Sequence, residues 1–297
     1  MEAADVAASR RRSAGRRLAG LFHGRPRLQV GSLLAGPVGW LVIGYLGSLA
    51  VMLVASFWTL GELSGEVEQA FTLDNFETIA SEPVYREIAG RTLAIAALVT
   101  VTCAVIAFPL AFYMAKVATP WLKGVLVVAV LMPLWSAYLV KVYAWRTILS
   151  EEGILNWALG PLGLSAPTAG SVRVWLVMTY LWLPYMVIPI YAGLERISDS
   201  MLSASDDLGA RPRYTFRRVI LPLVFPAVIA GSIFTFSLTL GDFIAPQLLT
   251  STQFIGNVVY ANFINNLPLA AAFATVPIVI MVFYLLLARR LGAFEHL

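Results

Sequence analysis

The stretch "SDSMLSASDDLGARPRYTFRRVILPLVFPA", Ser198 to Ala227, interrupts an apolar chain with aspartates, a Gly-Ala step and four arginines before returning to proline-studded hydrophobic sequence. Ile197, Met201, Ala204 and Leu208 recur at intervals of four, three and four, which places them on one face of a short helix with Asp206 and Asp207 on its other side. Ser198 or Ser200 is suited to cap its start, and Gly209 to end it in the left-handed conformation. Pro212 then suits the first turn of a second helix, which carries Tyr214 and Phe216 into the next apolar segment. The stretch therefore reads as a short helix, a glycine elbow and a helix entering a membrane. Such a helix either rests on lipid or docks on a protein. Its small apolar residues and its acids favour the protein, since the inner leaflet is anionic.

The membrane setting comes from composition. Of 297 residues, 59% are hydrophobic and 13% charged, with a mean hydropathy of +0.78; a soluble domain carries about 25% charged residues. A bilayer core of about 30 Å needs roughly 20 apolar residues in a helix. Six such windows are predicted, at residues 30–58, 92–117, 121–148, 172–194, 219–249 and 268–288. The division expected is a basic tail, 1–29, ahead of one membrane domain, 30–297, with a cytoplasmic loop at 195–218. Residues 1–27 lack apolar periodicity, which predicts disorder at their start. The arginine-rich lead (Arg10, Arg11, Arg12, Arg16, Arg17, Arg25, Arg27) resembles the start of a signal peptide, but the apolar run behind it is too long for one and reads as a retained anchor.

With the N-terminus inside, sixteen of the 21 lysines and arginines fall on the cytoplasmic side. The five outside are Arg86, Arg91, Lys141, Arg146 and Arg173. This bias predicts both termini in the cytoplasm, and the opening stretch with them. The net charge of +4 is thus sorted by topology, and nucleic acid is not an expected partner. Prolines inside the windows (Pro37, Pro109, Pro133, Pro184, Pro189, Pro222, Pro226, Pro277) each remove a backbone donor where there is no water. Such breaks are tolerated beside neighbouring helices or a wet cavity, which favours a transporter-like bundle over a simple anchor. Trp40, Trp58, Trp121, Trp145 and Trp175 lie near window ends, where interfacial anchoring explains them. The lone Cys103 excludes an intramolecular disulfide and reads as a small core residue.

The segment "LSASDDLGARPRYTFRRVILPLVFP" resembles the cytoplasmic EAA loop of ATP-binding-cassette (ABC) importer permeases: E-A-A, three residues, G-A, then about nine residues to an apolar-Leu-Pro ending. Ala204, Gly209, Ala210, Phe216, Ile220, Leu221, Pro222 and Pro226 fall on that pattern. Ser203 stands in place of the usual Glu and Ser205 in place of the second Ala. "FTLDNFETI", "LMPLWSAYLVKVYAWRTILSEEGILN", "LPYMVIPIYAGLERI" and "SLTLGDFIAPQLL" are similar to the spermidine/putrescine-type branch of these permeases. The resemblance implies an all-α, polytopic, type I-like permease fold in a bacterial cytoplasmic (inner) membrane. It implies two permease subunits, two cytosolic ATPases and an extracytoplasmic solute-binding protein. It also implies that Ser203, Ala204, Ser205, Asp207, Leu208, Gly209, Ala210 and Phe216 form the ATPase-coupling surface. The polyamine-like resemblance suggests that the second permease is a different chain.

The energy source agrees. A Walker A loop needs a Gly-Lys pair, whereas Lys116, Lys123 and Lys141 follow Ala, Leu and Val. This chain is expected to bind no cofactor, ATP and Mg being used by the partner ATPase. Asp242 is the only acid within the apolar cores and is a candidate for the substrate pathway. Gly241 and Pro246 equally suggest a broken helix, with Asp242 capping its second half or pairing with Lys141 or Arg146. Trp135, Tyr138, Tyr180, Trp182 and Tyr185 lie in or beside proline-broken parts and could line a cavity for an alkyl-ammonium ion, although packing is the commoner role of such residues. Glu151 and Glu152 could meet the binding protein or simply face solvent, and the two histidines, His23 and His296, do not suggest a metal site.

The expected function is translocation of a small organic solute, a polyamine above all. Opines, ferric iron and thiamine are the rival cargoes. A secondary transporter would show paired acids or an inverted repeat, and an intramembrane enzyme would show a nucleophile or acid pair at depth; neither pattern is present in the sequence.

Overall fold

The computed structural model describes residues 26–61 and 65–290 in two units, Met1–Ala55 and Ser56–Leu297. The expected basic tail lies almost wholly outside the described residues, as do His23 and His296. In the first unit, α1 (Pro26–Trp40) passes through a π-helical turn, Leu41–Leu46, into α2 (Gly47–Ala55), and Leu33–Ala55 is long and apolar enough to cross a membrane.

The second unit opens with an antiparallel pair of two-residue strands, β1 (Thr59–Leu60) on β2 (Val67–Glu68), which among the described residues is the one departure from an all-helical expectation. Helix α3 (Asp74–Ser81) is tied to the segment just before β1 by Asn75, whose amide donates to the carbonyls of Ser56 (3.1 Å) and Trp58 (2.7 Å). Helix α4 (Pro83–Phe112) starts on a proline at its first turn and continues through a π turn, Tyr113–Val117. It therefore begins nine residues before the expected second window.

The third window, expected as one span over 121–148, is instead two helices, α5 (Pro120–Trp135) and α6 (Tyr138–Ile148), bent by 96°. The chain breaks just after Pro133. Its carbonyl loses the helical donor and is satisfied by the Ser136 hydroxyl and the Lys141 ammonium, each at 3.0 Å. The short α7 (Ile154–Leu159) leads to α8 (Gly170–Glu195), close to the expected fourth window.

After α9 (Asp199–Asp207), α10 (Pro212–Thr215) runs through a π turn, Phe216–Ile220, into α11 (Leu221–Gly241). The widened turn has a local cause: Pro222 has no N–H, and its ring would collide with the carbonyl four residues back in a tight helix. The fifth span stops at Gly241, short of the expected Leu249, and a separate α12 (Ile244–Leu249) follows. Residues 250–267, which carry no predicted element, contain α13 (Ile255–Asn265). Helix α14 (Leu267–Arg290) matches the sixth window. Among the described residues, five helices are long and apolar enough to cross a membrane, and the bent α5–α6 pair makes a sixth if counted as one span.

Lipid gives apolar side chains no reason to prefer one another, so these helices are held by close packing and a few polar contacts. The centre is α4, α8 and α11, with Val99, Cys103, Ala107, Val177, Met186 and Ile190 fully buried. The Trp175 indole donates to the Thr102 hydroxyl at 3.1 Å, and the Cys103 thiol lies 3.5 Å from the Thr179 carbonyl, both across α4 and α8. The Tyr284 hydroxyl of α14 donates to Ser232 at 2.7 Å, with its ring stacked on Phe236. Where α8 crosses α11, a Cβ on Gly193 would stand 2.7 Å from the Cβ of Ala227. Gly193→Val is therefore expected to destabilise the bundle by about 1–3 kcal/mol. Because Cys103 is buried and the chain has no other cysteine, labelling with a thiol-reactive dye during a thermal ramp reads unfolding directly; an unchanged melting temperature would mean that the helices do not cross here.

Candidate functional site

Two places in the fold carry polar chemistry that packing alone does not require, and they lie at opposite ends of one helical run, Pro212–Gly241.

The first is the elbow. Helix α9 ends in a complete Schellman arrangement: the Gly209 N–H donates to the Asp206 carbonyl (2.8 Å) and the Ala210 N–H to the Ser205 carbonyl (3.1 Å). Gly209 has φ of +73°, the left-handed value expected of it, and no non-glycine residue among those described has positive φ. Ser198 takes the N-cap position, but its hydroxyl pairs with that of Ser200 (2.9 Å) and not with the helix backbone. Pro212 opens the second helix as expected.

Two contacts tie the arms of the elbow to each other and to the bundle. The Ser205 hydroxyl meets the buried Thr215 hydroxyl at 2.8 Å, and Phe216 packs edge-on against Phe108 of α4, with ring centres 5.5 Å apart. On the approach to α9, Lys116 donates to the Ile197 carbonyl at 2.6 Å and lies 3.5 Å from Asp199, while Lys123 pairs with Glu195. Of the expected apolar stripe, Ile197 is buried in this anchorage, whereas Met201, Ala204 and Leu208 are exposed, Leu208 at 88%. Ser203 and Asp207 are exposed as well, and Ser205 and Ala210 are half-buried. Met201, Ala204, Leu208, Gly209 and Tyr214 border an open apolar cleft of about 730 Å³. Anchored on one side and bare on the other, the elbow has the form of a docking surface.

The second place is the break after α11. Asp242 is extended (φ −76°, ψ 128°), so the helix ends there. Its Oδ1 accepts from the backbone N–H of Ile244 (2.9 Å) and Ala245 (3.3 Å), satisfying the first donors of α12. Its Oδ2 accepts from the Tyr138 hydroxyl at the start of α6. The expectation that Asp242 caps the second half-helix holds, but the expected pairing with Lys141 or Arg146 does not. Lys141 is held at the Pro133 carbonyl, and among the described residues no ion pair joins Asp242 to either cation. Asn257 of α13 closes the other side of the break by donating to the Phe243 carbonyl at 2.9 Å. A Cβ on the preceding Gly256 would stand 3.0 Å from the Asp242 carbonyl oxygen, so only glycine fits this approach.

The aromatic residues divide. Tyr138 stacks on Trp182 with ring centres 5.9 Å apart and planes at 14°, and Tyr185 meets Trp182 edge-on at 6.0 Å. These three and Asp242 form one cluster. Tyr180 instead packs on Trp145, and Trp135 is 86% exposed beside the α5–α6 bend, so neither joins it. Glu151 and Glu152 are exposed in the turn before α7, as a solvated loop predicts. The described residues contain no grouping of His, Cys, Asp and Glu able to hold a metal ion.

Sequence reasoning missed Thr215 as the partner of Ser205, Tyr138 as the partner of Asp242, and the whole of α13 with Asn257. Only the first left a trace: Ser205 departs from the pattern the loop otherwise follows.

Residues 92–294 match the family described as the binding-protein-dependent transport system inner membrane component, and the chain belongs to that family. It is an inner-membrane permease of an ABC importer, a transport component and not an enzyme. Its partner classes are accordingly an ABC ATPase and a solute-binding protein. It is 44% identical over 299 residues to the inner membrane ABC transporter permease protein YdcU of Escherichia coli K12, covering 95% of both chains. It is 32% identical to the spermidine/putrescine transport system permease protein PotB of Salmonella typhimurium LT2, covering 85% of this chain and 90% of that one. Among solved structures, a bacterial ABC transporter involved in import of the acidic polysaccharide alginate superposes with a TM-score of 0.68 at 17% identity, over 92% of this chain and 99% of that one. The same type of transporter in complex with a periplasmic protein bound to an alginate pentasaccharide gives 0.70 at 16% identity, over 89% and 94%. At these identities the likeness is one of fold.

If the Asp242 carboxyl closes the break, removing it should cost more than removing one of its donors. Asp242→Ala is expected to lower stability by about 3 kcal/mol and Tyr138→Phe by about 1 kcal/mol. The thiol-dye melt should therefore rank wild type above Tyr138→Phe above Asp242→Ala; equal melting temperatures for all three would remove the capping role.

Proposed function

We propose that this chain forms half of the membrane pathway of an importer for small cationic amines of the polyamine class, paired with a different permease chain and driven by two ATPase subunits. ATP and Mg²⁺ are bound by those ATPases. Both termini lie in the cytoplasm, on the strength of the lysine and arginine bias. This orientation puts the elbow, residues 195–218, where an ATPase can reach it. The exposed Ser203, Ala204, Asp207 and Leu208 then face the ATPase, Gly209 and Ala210 set the angle of the elbow, and Ser205 and Phe216 carry its movement into the bundle.

The observation that carries the cargo reading is a carboxyl group placed in a helix break at the end of an apolar span and next to aromatic rings. A carboxyl there attracts a cation, and ring faces favour alkyl-ammonium groups. The similarity to a permease named for spermidine and putrescine supports the same class. Within the sequence-assigned pathway residues, Asp242, Tyr138, Trp182 and Tyr185 form the contact group of this reading, and Trp135 and Tyr180 stand outside it.

The test is uptake of labelled putrescine and spermidine by cells with and without the gene, with ATP depletion and an ionophore as separate arms. Gene-dependent uptake that falls on ATP depletion and survives the ionophore is expected. Uptake indifferent to the gene would remove the polyamine cargo. Gly209→Val, which places a β-branched residue at positive φ, is expected to leave insertion intact while ATP hydrolysis no longer drives uptake. Normal uptake by that variant would remove the coupling role of the elbow.

A further inference from the structure

The aromatic cluster beside Asp242 holds a polar atom that its packing does not explain. Trp182 is 8% exposed, and among the described residues its indole N–H has no hydrogen-bond acceptor. A buried donor left unpaired is costly, and native structures seldom keep one without a reason. By contrast, the indole N–H of Trp175 has its acceptor in the Thr102 hydroxyl. Tryptophan is the aromatic residue whose polar handle only donates, so what Trp182 lacks is an oxygen acceptor.

Asp242 presents the complementary need. Its carboxyl has four lone-pair positions and receives three donors: two backbone N–H groups and the Tyr138 hydroxyl. Among the described residues, none donates to the remaining position. The Tyr138 ring joins the two requirements, since its hydroxyl meets Asp242 and its face stacks on Trp182.

A plain diamine carries donors only. It answers Asp242 and leaves the indole unmet. A ligand with an ammonium at one end and an oxygen acceptor at the other answers both. The acceptor is better neutral than anionic, because a second carboxylate would sit one ring away from the first in a medium that screens charge poorly.

Resting on the reading of Asp242 as the cation contact, we infer that Trp182 is a specificity residue whose indole N–H selects amines bearing a neutral oxygen acceptor, that is, amino alcohols or N-acylated diamines, over unsubstituted diamines.

The experiment compares uptake of 4-aminobutanol and N-acetyl-1,4-diaminobutane with that of 1,4-diaminobutane by the complete transporter, in wild type, Trp182→Phe and Asp242→Asn. The binding protein is the same in every strain, so its own preference cancels in the ratio of variant to wild type for each ligand. Trp182→Phe keeps a ring in the stack and removes the N–H. It is expected to lower uptake of the two oxygen-bearing amines by roughly two- to tenfold relative to the diamine, while Asp242→Asn lowers all three. Equal effects of Trp182→Phe on all three, or none, alongside a loss in Asp242→Asn, would overturn the selectivity and leave the cation contact standing. Normal uptake of all three by Asp242→Asn would overturn the cation contact itself. Should Trp182→Phe fail to assemble, Trp182→Leu, which also removes the N–H, takes its place in the same ratio of variant to wild type: a loss confined to the two oxygen-bearing amines is expected, and an equal effect on all three, or none, would overturn the inference.

Discussion

The hydrogen bonds made by the Asp242 carboxyl are the constraint on which the rest of this architecture depends. A helix that stops inside a membrane exposes backbone groups that hydrocarbon cannot satisfy. Here one side chain caps the next half-helix and, through Tyr138, fixes the start of another. The Pro133 break is closed in the same way, by Ser136 and Lys141. Both breaks are therefore built, with every freed group described above given a partner. A chain that needed only to anchor would have no use for them.

The second organising fact is continuity. The run from Pro212 to Gly241 has the glycine elbow at one end and the Asp242 break at the other. Close crossing with α8, permitted by Gly193 and Gly231, leaves that run little freedom to bend on its own. A displacement of the elbow, transmitted through the Ser205–Thr215 and Phe216–Phe108 contacts, would thus reach the break as movement of one body. Under the proposed coupling to an ATPase, this run links the exposed elbow to the polar junction at its far end.

How much of this was legible in the sequence depended on range. The elbow was readable because its signals are local: an apolar spacing, Gly209 and Pro212 each act within a turn or two. The end of the fifth span was half-readable, since Gly241, Asp242 and Pro246 announce a break while the apolar run continues to Leu249 and conceals where it falls. The 96° bend at Ser136 was not readable, because hydropathy reports how apolar a window is and says nothing about direction. Helix α13 was hidden by its asparagines and its lack of a long apolar run. The partners of Asp242 and Ser205 are tertiary choices: charge alone nominates Lys141 or Arg146 for Asp242, and the bend places Lys141 at the Pro133 carbonyl and Tyr138 at the carboxyl instead.

The central claim is that energy enters this chain at the elbow. Leu208 is 88% exposed there, and Trp157 of α7, on the opposite face by the charge-based topology, is 80% exposed. With the native Cys103 buried, a cysteine at either position can be joined selectively to nearby lysines of a partner by a thiol-to-amine cross-linker in native membranes. Leu208→Cys should capture the ATPase subunit, with a yield that changes when ATP is added, and Trp157→Cys should not. Capture of the ATPase from position 157, or from neither position, would contradict the account.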